Sequence, residues 1–388
     1  MKKTWILSTA LAGLLAAPVA SAGPLADATS DMLWGIELGG YMQLGSTYNF
    51  DSPDNEMNFG RIFDTDDADL IDFHAFQFYA DKLPEDVNEV GFRIDGMFGE
   101  DATGVGGGDG VLDSGDFNLY QAYVSYIAPV GNGLTLDAGR FVTWHGYELI
   151  ESPLNDNISR SFLFGYAIPF THTGFRGTYT FNEMVEASVG VTQGWDTVED
   201  NNDSPSYHFA LRLMPMETVY VQNSVAFGPE ATGNNSDNTI LYDLVATWQA
   251  TPQFLVGANF DWGSAEDLAV GGSDAEWMGF AGYLRYDIND KLYAAVRGEY
   301  FDDQDGYRFS TVSGYGAHAA YSGGAFVAPG DVEVWETTIT LGYEVVEGLM
   351  TRLEYRHDDA EDEIFFGDDM GEFEDTQDTI AFEIIYSF

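Results

Sequence analysis

Six histidines, His74, His145, His172, His208, His318 and His357, are the first side chains to test for chemistry. None stands in a nucleophile elbow, an HExxH helix or a paired-carboxylate motif, the settings in which an imidazole is aimed at a proton transfer. His172 opens a strand-like run and reads as a structural hydrogen-bond former. His318 lies in a Gly-rich stretch without an orienting acid, so the chain is not expected to be an enzyme. The charged groups say more: 64 Asp and Glu face 15 Lys and Arg, a formal charge of −49 over 388 residues. That balance repels phosphate backbones, and nucleic acid is excluded as a partner. There is no cysteine, hence no disulfide framework and no thiolate metal site. The acidic segments Asp51–Asp69, Gly106–Asp116 and Asp358–Asp375 do not follow EF-hand spacing and read as solvated loops. No cofactor and no metal site is expected.

The chemistry that remains is electrostatic, and it depends on which elements carry the charges. Aromatic residues make up 15% of the chain, with 44 Gly against 12 Pro, which is too rich for a disordered acidic polymer. The apolar signal has period two, the mark of strands with one dry and one wet face. It recurs about sixteen times, at 34–49, 70–82, 88–99, 117–128, 134–143, 172–181, 184–195, 206–214, 217–227, 239–250, 253–264, 274–287, 291–302, 331–345, 349–358 and 375–388. The links between them alternate strictly in length. Short turns fall at Met184, Pro215, Thr251, Asn289 to Lys291 and Glu347 to Gly348, whereas long polar links follow Asn49, Gly99, Thr143, Trp195, Phe227, Trp262, Asp302 and Asp358. This is the anatomy of an all-β, transmembrane antiparallel up-and-down β-barrel of about 16 strands, with turns at one rim and loops at the other.

Aromatic placement is an independent check on that reading. On the apolar parity, Tyr126, Phe181, Trp248, Phe254, Tyr286, Tyr343 and Phe388 sit at the short-turn ends. Phe98, Trp195, Phe227, Trp262, Tyr300, Trp335 and Tyr355 sit at the long-loop ends. Two girdles at headgroup level are expected from amphipathic rings. The last strand alternates Ile380, Phe382, Ile384, Tyr386 and the terminal Phe388. That ending resembles the signal read by the bacterial barrel-assembly machinery.

Lys2 and Lys3, an apolar run from Trp5 to Ala17 and the small residues Ala20, Ser21 and Ala22 read as a cleaved signal peptide over residues 1–22. Residues 23–388 then form a single outer-membrane barrel domain, and losing the two lysines makes it two units more negative. The expected location is the bacterial outer membrane, with its lipid as the surrounding partner.

On the wet parity lie Arg93, Arg176, Arg212, Arg285, Arg297, Arg352 and Arg356, seven of the eleven arginines. The acids there are Glu37, Asp95, Asp137, Glu186, Asp243, Asp261, Glu299, Glu336, Glu344, Glu354 and Glu383. The wall is thus nearly balanced while the loops are strongly negative. Two roles compete for the arginines. They could pair with wall carboxylates, such as Arg352 with Glu354 or Arg297 with Glu299, and merely hold the cylinder. Alternatively, they could face an inward acidic loop across a constriction. The candidate loop is 144–171, which carries Glu148, Glu151, Asp156 and Arg160 together with apolar anchors from Leu154 to Ile168. An apolar loop should not stand in water, so it is expected to fold into or over the barrel.

Residues 139–196 resemble the OmpL-like β-barrel porin family. The matching pieces are Gly139-Arg140-Phe141, Gly146-Tyr147-Glu148, Ser159-Arg160-Ser161-Phe162-Leu163-Phe164, Ala167-Ile168-Pro169-Phe170-Thr171-His172-Thr173-Gly174 and Gly194-Trp195-Asp196. Trp144 and Gln193 depart from the pattern. The resemblance implies a Gram-negative outer-membrane porin. Together with the charge pattern it leads to an expected function: a water-filled channel for passive diffusion of small hydrophilic solutes or ions, cation-preferring because the mouth is negative. A homotrimer is the assembly usual for general porins of this size. The alternative is a structural or adhesive barrel whose loops plug the lumen.

Overall fold

The computed structural model describes residues 35–53, 57–65, 70–105, 117–269, 272–311, 320–321, 324–325, 330–368 and 372–388. The leader at 1–22, the acidic glycine-rich run at 106–116 and most of 309–330 lie outside the described residues. Sixteen strands close into one antiparallel barrel in sequence order. They are β1 (Glu37–Asn49), β2 (Asp72–Lys82), β3 (Val90–Phe98), β4 (Phe117–Ala128), β5 (Leu134–Val142), β6 (Thr171–Asn182), β7 (Val185–Thr192) and β8 (Ser206–Met216). The second half comprises β9 (Val219–Pro229), β10 (Asn238–Thr251), β11 (Phe254–Ala265), β12 (Ala275–Asp287), β13 (Leu292–Asp303), β14 (Val332–Val346), β15 (Leu349–Ala360) and β16 (Thr376–Ser387). The seam runs between β1 and β16, from Tyr41 opposite Ser387 to Asn49 opposite Thr379. Phe388 and Gly40 extend it by exchanging two backbone hydrogen bonds of 3.0 and 3.2 Å. A closed ladder leaves no edge, which is what lets strands stand in hydrocarbon.

The alternation of turns and loops is as the sequence indicates. Connections such as 183–184, 217–218, 252–253 and 347–348 are two residues long, and each is followed by a long link at the opposite rim. Outward side chains including Met42, Val124, Phe175, Val189, Phe209, Phe280, Ile339, Leu341 and Phe382 are exposed. An apolar belt of this extent does not belong in water and marks a surface meant for lipid. Rings pair at both rims: Tyr300 and Trp335 lie 4.4 Å apart at the loop end, Phe76 and Phe388 6.0 Å apart at the turn end.

Trp195 corrects one expectation. β7 stops at Thr192, and Gly194, at φ +123°, turns the chain off the strand path. The Trp195 indole then meets Trp277 edge-on at 6.4 Å beneath the Arg308 guanidinium, among loops rather than at the lipid face. Parity predicts direction only while the strand lasts.

The interior is not lined by water alone. Phe59, Ile62, Phe63, Phe162, Leu163, Phe164, Tyr166, Phe309, Phe365 and Phe366, all from the long links, join wall residues such as Phe301 in a buried apolar cluster. The acidic first and last loops contribute to it, contrary to the expectation of solvated segments. Arg61 reaches Asp64 at 3.0 Å and Asp358 at 2.7 Å, all three buried. Arginine is scarce in this chain, and here it neutralises carboxylates that the packing has taken out of water.

Candidate functional site: the loop across the lumen

Loop 143–170, between β5 and β6, has no strand of its own, so its backbone polar groups must find partners elsewhere. It crosses the interior and finds them on successive wall strands. His145 Nδ1 lies 2.7 Å from Ser224 Oγ on β9. The Gly146 N–H donates to Asp243 on β10 at 3.1 Å, and the Tyr147 N–H to Asn259 on β11 at 3.0 Å. The Tyr147 ring stacks on Tyr283 of β12 with centroids 3.9 Å apart. Glu148 meets Arg297 of β13 at 2.7 Å. Four consecutive residues therefore step along five consecutive strands.

Past this crossing, acidic and basic wall residues hold the loop main chain directly. Glu354 accepts the Ile158 and Ser159 N–H groups at 2.6 and 2.8 Å, and Glu299 accepts those of Phe162 and Leu163 at 2.7 and 2.6 Å. Arg352 donates to the carbonyls of Ser152, Asn155 and Asn157, Arg356 to that of Arg160, and Arg297 to that of Ser159. Charge-assisted bonds of this kind are about twice as strong as neutral ones. The near-balance of wall charges thus has a structural cause: carboxylates take loop amides and guanidinium groups take loop carbonyls.

Each lumenal arginine is also ion-paired. Arg93 binds Asp95 at 2.6 Å and Asp81 at 2.9 Å; Arg176 binds Asp137 at 2.8 Å; Arg212 binds Glu186 at 2.7 Å. Arg285 meets Asp156 of the loop at 2.6 Å, Arg297 meets Glu336 at 2.6 Å, Arg352 meets Glu383 at 2.7 Å and Arg356 meets Asp358 at 2.6 Å. The pairs Arg352–Glu354 and Arg297–Glu299 do not form, because both glutamates are occupied by loop amides. Of the loop charges, Glu148 and Asp156 meet Arg297 and Arg285. Glu151 instead accepts the Tyr120 hydroxyl at 3.0 Å. Arg160 donates to the loop's own carbonyls at Leu149, Ile150 and Ile158.

The wall is unevenly covered. Arg297 and Arg352 side chains are 0% exposed under the loop, whereas Arg176, Arg212 and Arg285 keep 14, 15 and 17%. A small pocket lies between residues 151–154 and the β1–β3 wall, lined by Tyr41, Gln77, Tyr79 and Arg93, all four of them buried.

Sequence reasoning missed Asp196, Glu230, Arg308 and Trp277, which anchor the loop's exit. Asp196 accepts the Phe170 and Thr171 N–H groups at 2.8 and 2.7 Å; burial raises its pKa to about 6 against the pull of those two bonds. Glu230 accepts from Trp195 N–H at 2.7 Å and from the Ser206 hydroxyl at 2.6 Å, and burial pushes it up to about 8. The Trp277 indole N–H donates to the Ala167 carbonyl at 3.1 Å, and Arg308 donates to that of Tyr166. Only one signal could have found Arg308: a basic residue in a chain so poor in them.

The family described as "Putative beta-barrel porin-2, OmpL-like" matches the chain over residues 35–388. The chain belongs to this family. Its barrel is similar to an anion-selective porin from Comamonas acidovorans, with a TM-score of 0.61 and 10% identity over 91% of this chain and 99% of that one. Salmonella typhi OmpF, in complex with daunomycin, gives 0.60 at 11% identity over 91% and 97%. Vibrio cholerae OmpT in a trimer form gives 0.54 at 10% over 91% and 99%. At such identities the likeness speaks for the fold alone, a porin-like barrel. No curated protein matches. Membership in this porin family implies the bacterial outer membrane.

Proposed function

We propose that the chain is a passive outer-membrane channel with a narrowed aqueous path for small hydrophilic solutes and ions. The observation that carries this is the inward loop: a sixteen-strand cylinder is wide enough for a channel, and a polar-anchored segment laid across it sets the bore. The path follows the side the loop leaves wetter, past the partly exposed Arg176, Arg212 and Arg285. Because the seven lumenal arginines are already paired, the acid excess of the loops sets the sign, and the pore prefers cations. Their field reaches about 8 Å at physiological salt. No catalytic step or cofactor is involved in passage. Export by a leader cleaved after Ala22, recognition of Phe388 by the barrel-assembly machinery, and a homotrimer of the kind seen for the Vibrio protein complete this reading.

A second reading is favoured by one specific observation. The buried aromatic cluster and the dry Arg61, Arg297 and Arg352 make a packed plug on the β12–β16 side, as in a structural or adhesive barrel. Deleting residues 150–159 separates the two. A loop-narrowed channel gains single-channel conductance on deletion and shows a cation-signed reversal potential in a KCl gradient. A channel whose conductance is unchanged by the deletion refutes the constriction.

A further inference from the structure

Where the crossing loop leaves β5, three imidazoles meet: His145 of the loop, His172 of β6 and His208 of β8. All three are buried, and one ring nitrogen from each lies within 4.8 Å of the others. We propose that His145, His172 and His208 form a binding site for a borderline divalent transition metal of the zinc and cobalt class.

The hydrogen bonds around the rings fix which nitrogens are bare. The Gly194 carbonyl, 3.3 Å from His172 Nδ1, can only accept, so Nδ1 carries the proton and Nε2 carries the lone pair. Ser224 gives its own proton to Asp243 Oδ1 at 2.8 Å and must accept from His145 Nδ1, which again leaves Nε2 bare. His145 Nε2 faces His208 Nδ1 at 3.5 Å, while His208 Nε2 is held by Thr192 Oγ1 at 2.8 Å. When His208 protonates Nε2 and donates to Thr192, a third lone pair joins the other two. Each ring then has an oxygen partner behind it, the outer-shell pattern that orients metal-bound histidines.

The spacing is close to what a metal needs. Tetrahedral zinc with nitrogen ligands at 2.0–2.1 Å sets neighbouring nitrogens about 3.3 Å apart. The His145–His208 edge already has that length within a few tenths of an ångström. His172 must close in, and its Nε2 must exchange the Thr143 hydroxyl, now 3.1 Å away, for the metal.

Charge and surroundings agree. Asp243 lies behind Ser224, and Asp261 sits opposite it across β10–β11. The nearby guanidinium groups, Arg176 and Arg212, are neutralised by Asp137 and Glu186. Phe141 and Trp144 box the cluster, the Trp144 ring 5.6 Å from that of His208. Sequence spacing could not reveal the set, since the ligands come from three separated elements.

The site would staple the root of the inward loop to two wall strands, and it stands or falls independently of conduction. The test uses the full chain in detergent, stripped with EDTA and titrated with Co²⁺ and then Zn²⁺ in excess Mg²⁺, added to suppress weak binding to surface carboxylates. Expected are one tightly held equivalent per chain, the visible bands of four-coordinate cobalt, loss of both in His208→Gln, and about 10–100-fold weaker binding in Ser224→Ala, which keeps all three ligands. Heat-modifiable gel mobility establishes that each variant is folded. Wild type that retains no metal after desalting, or a folded His208→Gln that retains as much as wild type, overturns the proposal. Should His208→Gln not fold, Ser224→Ala decides: wild-type affinity there also overturns it.

Discussion

Glu354 is the perturbation that probes the loop anchoring most directly. Its buried carboxylate accepts the Ile158 and Ser159 amides and the Thr340 hydroxyl, the last at 2.6 Å. Replacing it with alanine leaves three donors without an acceptor. Each bond to a charged group contributes about 1.5–3 kcal/mol, and since the three act together the loss is less than their sum, about 3–5 kcal/mol. The loop has a way out: it can leave the wall and hydrate. A bias of 3 kcal/mol corresponds to roughly a hundredfold change in the docked-to-undocked ratio, because each 1.4 kcal/mol is a factor of ten. Glu354→Ala should therefore show a second, larger conductance level in planar-bilayer recordings, and protease should cut within 149–160 where wild type is protected. Glu354→Gln, which keeps one acceptor oxygen, should fall between. Wild-type conductance together with wild-type protection in Glu354→Ala would refute the claim that wall carboxylates hold this loop.

The other expectations concern the rims, the lipid face and pH. Glu230 and Asp196 are raised by burial to about 8 and about 6. The folded state thus binds protons there that the unfolded chain has released, so this loop contact weakens as pH rises from about 4 to about 8 and levels off above. Trp195 fluorescence should report that loosening, and Glu230→Gln should remove most of it; a contact that tightens with rising pH would contradict the assignment. Leu341→Arg, on the exposed belt near mid-strand of β14, should lower stability in vesicles by about 2–4 kcal/mol in urea titrations. An effect near zero would mean that this face does not meet hydrocarbon.

The strands were legible because period two and alternating link length are local properties of the chain. The barrel needs nothing else: once each strand has a dry face and a tight turn, its neighbour in sequence becomes its neighbour in space. Ends were less legible, as Trp195 illustrates, where one glycine of positive φ removes the parity on which the girdle assignment rested. The direction of the seven arginines could be read in advance, but their partners could not. Glu299 and Glu354 stand two residues from Arg297 and Arg352, yet a loop more than 130 positions away in sequence claims both carboxylates. Arg61, Glu230 and Arg308 were invisible for a related reason, and Asp196 was marked only by its place in the Gly194-Trp195-Asp196 piece: a charged loop residue reads as solvated until the fold shows what covers it. The histidine cluster lies at the same limit, assembled by closure of the cylinder and by no local pattern.

The most direct test of a loop-narrowed aqueous pore is the single-channel current of the purified protein in a planar membrane under a KCl gradient. Discrete ohmic steps with a reversal potential of cation sign are expected. A folded, inserted protein that passes no current would mean that the aromatic cluster seals the lumen, and an anion-signed potential would mean that the wall arginines, not the acidic loops, govern permeation.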